Sequence, residues 1–163
     1  MASLMVAILK DPEDELPEHP EFMSLSQPVV VVGGLAYTSA HMPVRQDGTL
    51  VTGRAESEQG RTAARLAALS MLASVKRQLG SLDRVRRVVR LHGMVNCAPD
   101  FAEHLGVCAF AAELFKMVWG EEAGTGACSA VGVARRRRRP KVAVRADSQR
   151  PFFERKQISP LLS

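Results

Sequence analysis

Two short groups carry the side chains with chemical potential in this chain: Ser39 with His41, and Cys128 followed directly by Ser129. A histidine can move a proton, and a serine or cysteine becomes a nucleophile when a base stands beside it. His41 reads either as a group lining a ligand cleft, or as a structural polar residue at a sheet edge. Cys128 reads either as a reactive or redox-sensitive thiol, or as an inert one, because no basic partner for it is evident along the chain. Arg86, Arg87 and Arg90 form a charge row that stays solvated, lies at an interface or grips an anion. Gly53 has no GxGxxG or GxxxxGK[ST] pattern around it and reads as a turn residue, not part of a phosphate cradle. Cys97, Cys108 and Cys128 show neither CxxC nor Cys/His metal spacing, so they are expected as free thiols in a reducing compartment, with no metal site.

The elements that must position these groups are organised around Ser81 to Phe101, SLDRVRRVVRLHGMVNCAPDF. From Val85 to Asn96 the residues alternate, with Val89, Leu91, Gly93 and Val95 on one face and Val88, Arg90, His92, Met94 and Asn96 on the other. That is a strand buried on one side, which fits an antiparallel or mixed sheet. Before it, VVVVGGLAYTSAHMP predicts strands Val29–Val32 and Leu35–Ala40 joined by a Gly33-Gly34 turn, and Asp47-Gly48 marks a second turn. Glu58–Leu79 reads as a long helix with Leu66, Leu69, Leu72, Val75 and Leu79 on one face. Its many alanines allow close approach to a sheet, and Gly80 is placed as an αL cap. After the central strand, Pro99-Asp100 offers a helix start, and Phe101–Trp119 keeps an apolar face until Gly120. Ser129–Ala134 and Lys141–Ala146 are further strand candidates. The order β-β-α-β-α-β-β predicts an α+β fold with both helices on one face and the other face open to self-association.

Composition sets bounds on function. With 163 residues, 46% of them hydrophobic and few aromatics, the chain is sized for one domain with an aliphatic, Ala-rich core. Residues 135–163 hold ten Lys/Arg against Asp147 and Glu154, a balance of +8; since the whole chain is +5, the rest is −3. The basic character therefore belongs to a tail and says nothing of nucleic-acid binding by the body. The organisation expected is an acidic, Pro-rich lead-in over 1–21, a domain over 22–134, and a basic tail over 135–163 with a degenerate strand at 141–146. Residues 11–21, with three prolines and six acids, read as extended. The run Arg135, Arg136, Arg137, Arg138 and Arg139 is a solvated loop, a nuclear-localisation signal or a polyanion contact. No stretch reaches the length of a membrane span, so a cytoplasmic protein without membrane partners is expected.

Several motifs together resemble a known family. DGTLVTG (47–53), AARLAALSMLASVKRQLGSLDRVRRVVRLHGMVNCAPDF (63–101) and SAVGVA (129–134), with ELPEHP (15–20) ahead of them, are similar to the Rid proteins. These reactive-intermediate deaminases are also called YjgF or endoribonuclease L-PSP proteins. The resemblance implies a chorismate-mutase-like fold, a homotrimer with ligand clefts between subunits, and hydrolysis of enamines and imines to a keto acid and ammonia without metal or organic cofactor. It also implies a small carboxylate metabolite as ligand. Ser39, His41, Cys128 and Ser129 become the cleft candidates, and His92 and Asn96 fall on the face that would turn toward the trimer interior.

The same comparison shows where the chain departs. The family arginine that grips substrate carboxylate falls at Cys128, the glutamate that positions water falls at Ala143, and a helix asparagine falls at Ala109. A thiol has no fixed charge and cannot make the bidentate contact that a guanidinium makes. Impaired or lost deaminase activity is the expectation. A non-catalytic trimer binding a metabolite or protein, or a protein binding RNA through the tail, is the alternative. No catalytic His pair or metal cluster in the sequence supports RNA cleavage.

Overall fold

Alanine density sets the first layer of the fold. In this computed structural model, which describes residues 16–17, 26–55, 58–133 and 142–149, helix α1 spans Glu58–Leu79, the bounds read from the sequence. Ala63, Ala64, Ala67, Ala68 and Leu72 are fully buried on its inner face, and Leu69, Met71, Val75 and Leu79 complete the stripe. Leu66, expected in the same stripe, is only partly buried. Gly80 adopts φ +82° and its N–H donates to Lys76 O at 2.7 Å, ending the helix in the left-handed cap.

Strands β1 (Val29–Val32) and β2 (Leu35–Thr38) form the expected hairpin, with Gly33 and Gly34 both at positive φ. β3 (Arg87–Asn96) is the central strand of the sequence pattern. β4 (Ala127–Val133) lies parallel to it, and β5 (Val142–Gln149) runs antiparallel to both β2 and β3. The sheet is mixed, in the order β1-β2-β5-β3-β4. The last of the described strands is thus inserted at the middle of the sheet. Val144 and Ala146 are buried there, and Thr38 Oγ1 both donates to Ala146 O at 2.7 Å and accepts from Ala146 N at 2.8 Å.

The alternation read for β3 needs one correction. Val88 is buried and Val89 is 39% exposed, the reverse of the expectation. The register of β3 against β5 slips between Val88 and Arg90, a bulge that spends one residue and inverts the phase upstream of it. Downstream, Leu91, Gly93 and Val95 face the core as the pattern predicts.

α2 also differs from its sequence bounds. It runs from His104 to Gly124, beginning three residues after Phe101 and carrying one turn past Trp119. Phe101 N–H closes a turn onto Ala98 O, and Glu103, at the cap position, makes no side-chain cap bond, so Pro99-Asp100 starts a turn and not the helix. Gly120 does break the helix, with φ +83° and ψ 168°. The turn beyond it folds back, because Gly124 lies against the Phe115 and Lys116 backbone where a Cβ has no room. Both helices cover one face of the sheet, α1 over β5 and α2 over β3 and β4. On the uncovered face and sheet edges, Val30, Val32, Val89 and Val131 are exposed. Of the lead-in, Leu16 packs against the core and Pro17 is buried, so these two residues are more than an extended approach. The Arg135–Arg139 run lies outside the described residues.

Candidate functional site

The cleft candidates fall into two groups. Ser39 follows β2; its Oγ donates to Gln27 O at 2.7 Å and its N–H to Pro28 O at 2.8 Å, which ties the approach of β1 to the end of the hairpin. His41 is buried and exchanges backbone hydrogen bonds with Val144 of β5, at 2.8 and 2.9 Å. Its Nδ1–H donates to Ser39 O at 2.9 Å, leaving Nε2 as the acceptor. Burial pushes the His41 pKa down, only partly offset by that hydrogen bond, so the ring is neutral at neutral pH.

The second group lies on the edge strand β4. His92 and Ser129 are paired in register and joined by a hydrogen bond of 2.8 Å between Nδ1 and Oγ on the open face. Cys128 pairs with Leu91 and so takes the helix-side phase, reaching solvent because β4 is an edge. Its thiol is pushed up by partial burial and stays protonated at neutral pH. Cys108 of α2, fully buried, is pushed up to about 12 by burial and by its neighbour Cys128. A Cβ at Gly93 would fall on Cys108 Sγ, so the absent side chain lets α2 sit against β3.

The two groups do not meet in one chain. His41 pairs with Val144, Val144 with Gly93 and Gly93 with Ala130, three inter-strand steps or about 14 Å. Ser39 and His41 from one copy and Cys128 and Ser129 from another could share a cleft only across an interface. β5 places Ala143 opposite Met94 and Arg145 opposite His92. Val144 and Ala146, between and beyond these two positions, are buried on the helix side. Ala109 is half-buried on α2.

Sequence reading missed two arrangements. Cys97 Sγ lies 3.4 Å from His104 Nε2, and Gly132 makes room for both. Burial raises the Cys97 pKa, so this is a neutral thiol packed against an imidazole. Arg86 and Arg87, read as part of a charge row, line a cavity of about 600 Å³ with Trp119, Gly120, Glu121, Glu122 and Ala123. Trp119, the chain's single tryptophan, was the available signal, since its Nε1–H crosses to Leu82 O at 3.0 Å. No group of three or more His, Cys, Asp or Glu suited to a metal ion occurs among the described residues, and none of their helices is long and apolar enough to cross a membrane.

A five-stranded mixed sheet covered on one face by the two described helices, with the His92–Ser129 pair on the other, defines an α+β protein of chorismate-mutase-like fold. The family model described as "YjgF/chorismate_mutase-like, putative endoribonuclease" matches residues 6–130, and the chain belongs to this YjgF, or Rid, family. Protein TCP17 of Trypanosoma cruzi is 38% identical over 109 residues, which cover 64% of this chain and 68% of that protein. The structure of Atu1372 from Agrobacterium tumefaciens superposes with a TM-score of 0.71 at 30% identity, covering 78% of this chain and 85% of that one. A "putative endoribonuclease" from Shewanella oneidensis MR-1 superposes with a TM-score of 0.76 at 27% identity, covering 83% and 91%.

Proposed function

We propose that this chain is a Rid-type protein whose enamine/imine hydrolase machinery is impaired or lost, and whose cleft retains the capacity to bind a small metabolite. The observation that carries this reading is Cys128, a neutral thiol at the edge of β4, where the family resemblance calls for a carboxylate-gripping arginine. Ala143, paired with Met94 in β5, supports it, since a methyl group cannot orient water. The chemistry in question is attack of water on an imine carbon, releasing ammonia and a keto acid. His92 and Ser129 are hydrogen-bonded to each other and can orient a ligand, and His41 is held neutral by burial, so it does not replace the missing guanidinium.

Ammonia release from freshly generated 2-aminoacrylate tests the proposal. The expected kcat/KM is at least about 10²-fold below that of a family member with arginine and glutamate in place, the factor that general acid–base catalysis typically contributes. Turnover equal to such an enzyme's would overturn it.

The assembly proposed is a homotrimer with clefts between subunits. Among the described residues one sheet face lacks helical cover and exposes valines, and the two candidate groups are about 14 Å apart in a single chain. Sedimentation is expected to give three times the 17.7 kDa chain mass. A monomer at micromolar concentration would remove both the trimer and the intersubunit cleft.

A further inference from the structure

We propose that the cavity between the start of β3 and the end of α2 is a second ligand site, and that it takes a free α-amino acid with an apolar side chain. The site is separate from the cleft candidates, none of which lines it. Arg87 precedes Leu91, the partner of Cys128, by four residues, about 13 Å along β3. Its volume of about 600 Å³ falls in the range of small-molecule sites.

The walls are fixed by the fold. Gly120 turns the chain out of the helix, and Gly124 packs the following turn back onto Phe115 and Lys116. Trp119 is held by its hydrogen bond to Leu82 O and by Phe115, whose ring centroid is 5.7 Å away. The charges that line the cavity are not all committed. Glu121 is paired with Lys116 at 2.7 Å. The side chains of Arg86, Arg87 and Glu122 have no hydrogen-bond or ion-pair partner among the described residues.

Two arginines, a glutamate whose side chain has no partner among the described residues, and a tryptophan on a single cavity define the ligand's chemistry. A carboxylate suits the arginines, which can hold it bidentately. An ammonium suits Glu122, and an apolar side chain suits the indole. A dianion such as a phosphate monoester would meet Glu122 as a like charge, and a simple cation would meet two arginines. The zwitterion of an amino acid uses all four groups.

The test uses the full-length protein and L-phenylalanine, followed by Trp119 emission under tryptophan-selective excitation and, in parallel, by calorimetry. Because the chain has one tryptophan, the emission reports on this cavity alone. Saturable binding is expected. It should weaken about tenfold or more in the Arg86→Gln/Arg87→Gln and Glu122→Gln variants, each lost charge-assisted contact contributing at least that factor. It should weaken similarly for 3-phenylpropionate, which lacks the ammonium, and for phenethylamine, which lacks the carboxylate. Cys128→Ala should bind as wild type, which separates this site from the cleft. No saturable signal by either method would overturn the proposal, as would binding that is indifferent to the Arg and Glu changes or equally tight for the two analogues. Each variant's thermal melt should match wild type, so that weaker binding reports the site and not the fold.

Discussion

Truncation before Val142 is expected to abolish cooperative folding and not simply to shorten a basic tail. β5 pairs with β2 through Leu35–Tyr37 on one side and with β3 from Arg87 to Val95 on the other, so its loss splits the sheet. Fully burying a valine such as Val144 stabilises by about 1.5–3 kcal/mol. Each buried backbone or hydroxyl group left unpaired costs a further 1–3 kcal/mol, roughly. The groups orphaned include Thr38 Oγ1 and the His41 N–H and C=O. Three or four such losses equal the whole stability of a typical domain, about 5–15 kcal/mol. Circular dichroism should show no cooperative thermal transition for the truncated chain. Replacing Arg135–Arg139 with serine should leave the transition within a few degrees of wild type. The pair of variants separates the basic run from the strand that follows it; a truncated chain melting like wild type would show that β5 is dispensable.

Local signals explain why much of this architecture was legible in the sequence. α1 declares itself through dense alanine and a leucine stripe closed by Gly80, and the hairpin through two glycines between β-branched runs. Each depends on neighbours in sequence. What escaped depends on partners far away. The bulge at Val88–Arg90 leaves no mark in RRVVR, because either phase presents a valine to the core, and only pairing with β5 decides which. The central place of β5 is a topological fact, invisible in a strand of mixed composition flanked by arginines. In the site, Cys128 and Ser129 are adjacent in sequence, which says nothing of whether they share a face. On a strand they do not: Ser129 meets His92 on the open side while Cys128 follows Leu91 on the other. The cavity at Trp119 needed the fold-back at Gly124, which no periodicity announces.

Restoring the two missing groups should raise imine hydrolysis in two distinguishable steps. Cys128→Arg introduces a charge-assisted, bidentate partner for substrate carboxylate; hydrogen bonds to charged groups contribute about 1.5–3 kcal/mol, so KM should fall about 10- to 100-fold with little change in kcat. Adding Ala143→Glu supplies a carboxylate to orient water, and kcat should rise by about 10²–10⁴. Geometry adds a condition. Positions 128 and 143 lie in strands on opposite sides of β3, level with Leu91 and Met94, so they are about 14 Å apart within one chain. They can act on one substrate only if one copy supplies the arginine and another the glutamate. Mixing the two single variants should therefore generate activity that neither has alone, provided subunits exchange, and a dilution that dissociates the assembly should remove it. Arg145, opposite His92 in the β3–β5 register, is the built-in competitor. If its guanidinium already grips the carboxylate, Cys128→Arg will leave KM unchanged while Arg145→Gln raises it, and any impairment will then come from Ala143 alone. Wild-type turnover that neither substitution improves, in variants that remain assembled, would show that the cleft works by groups other than these.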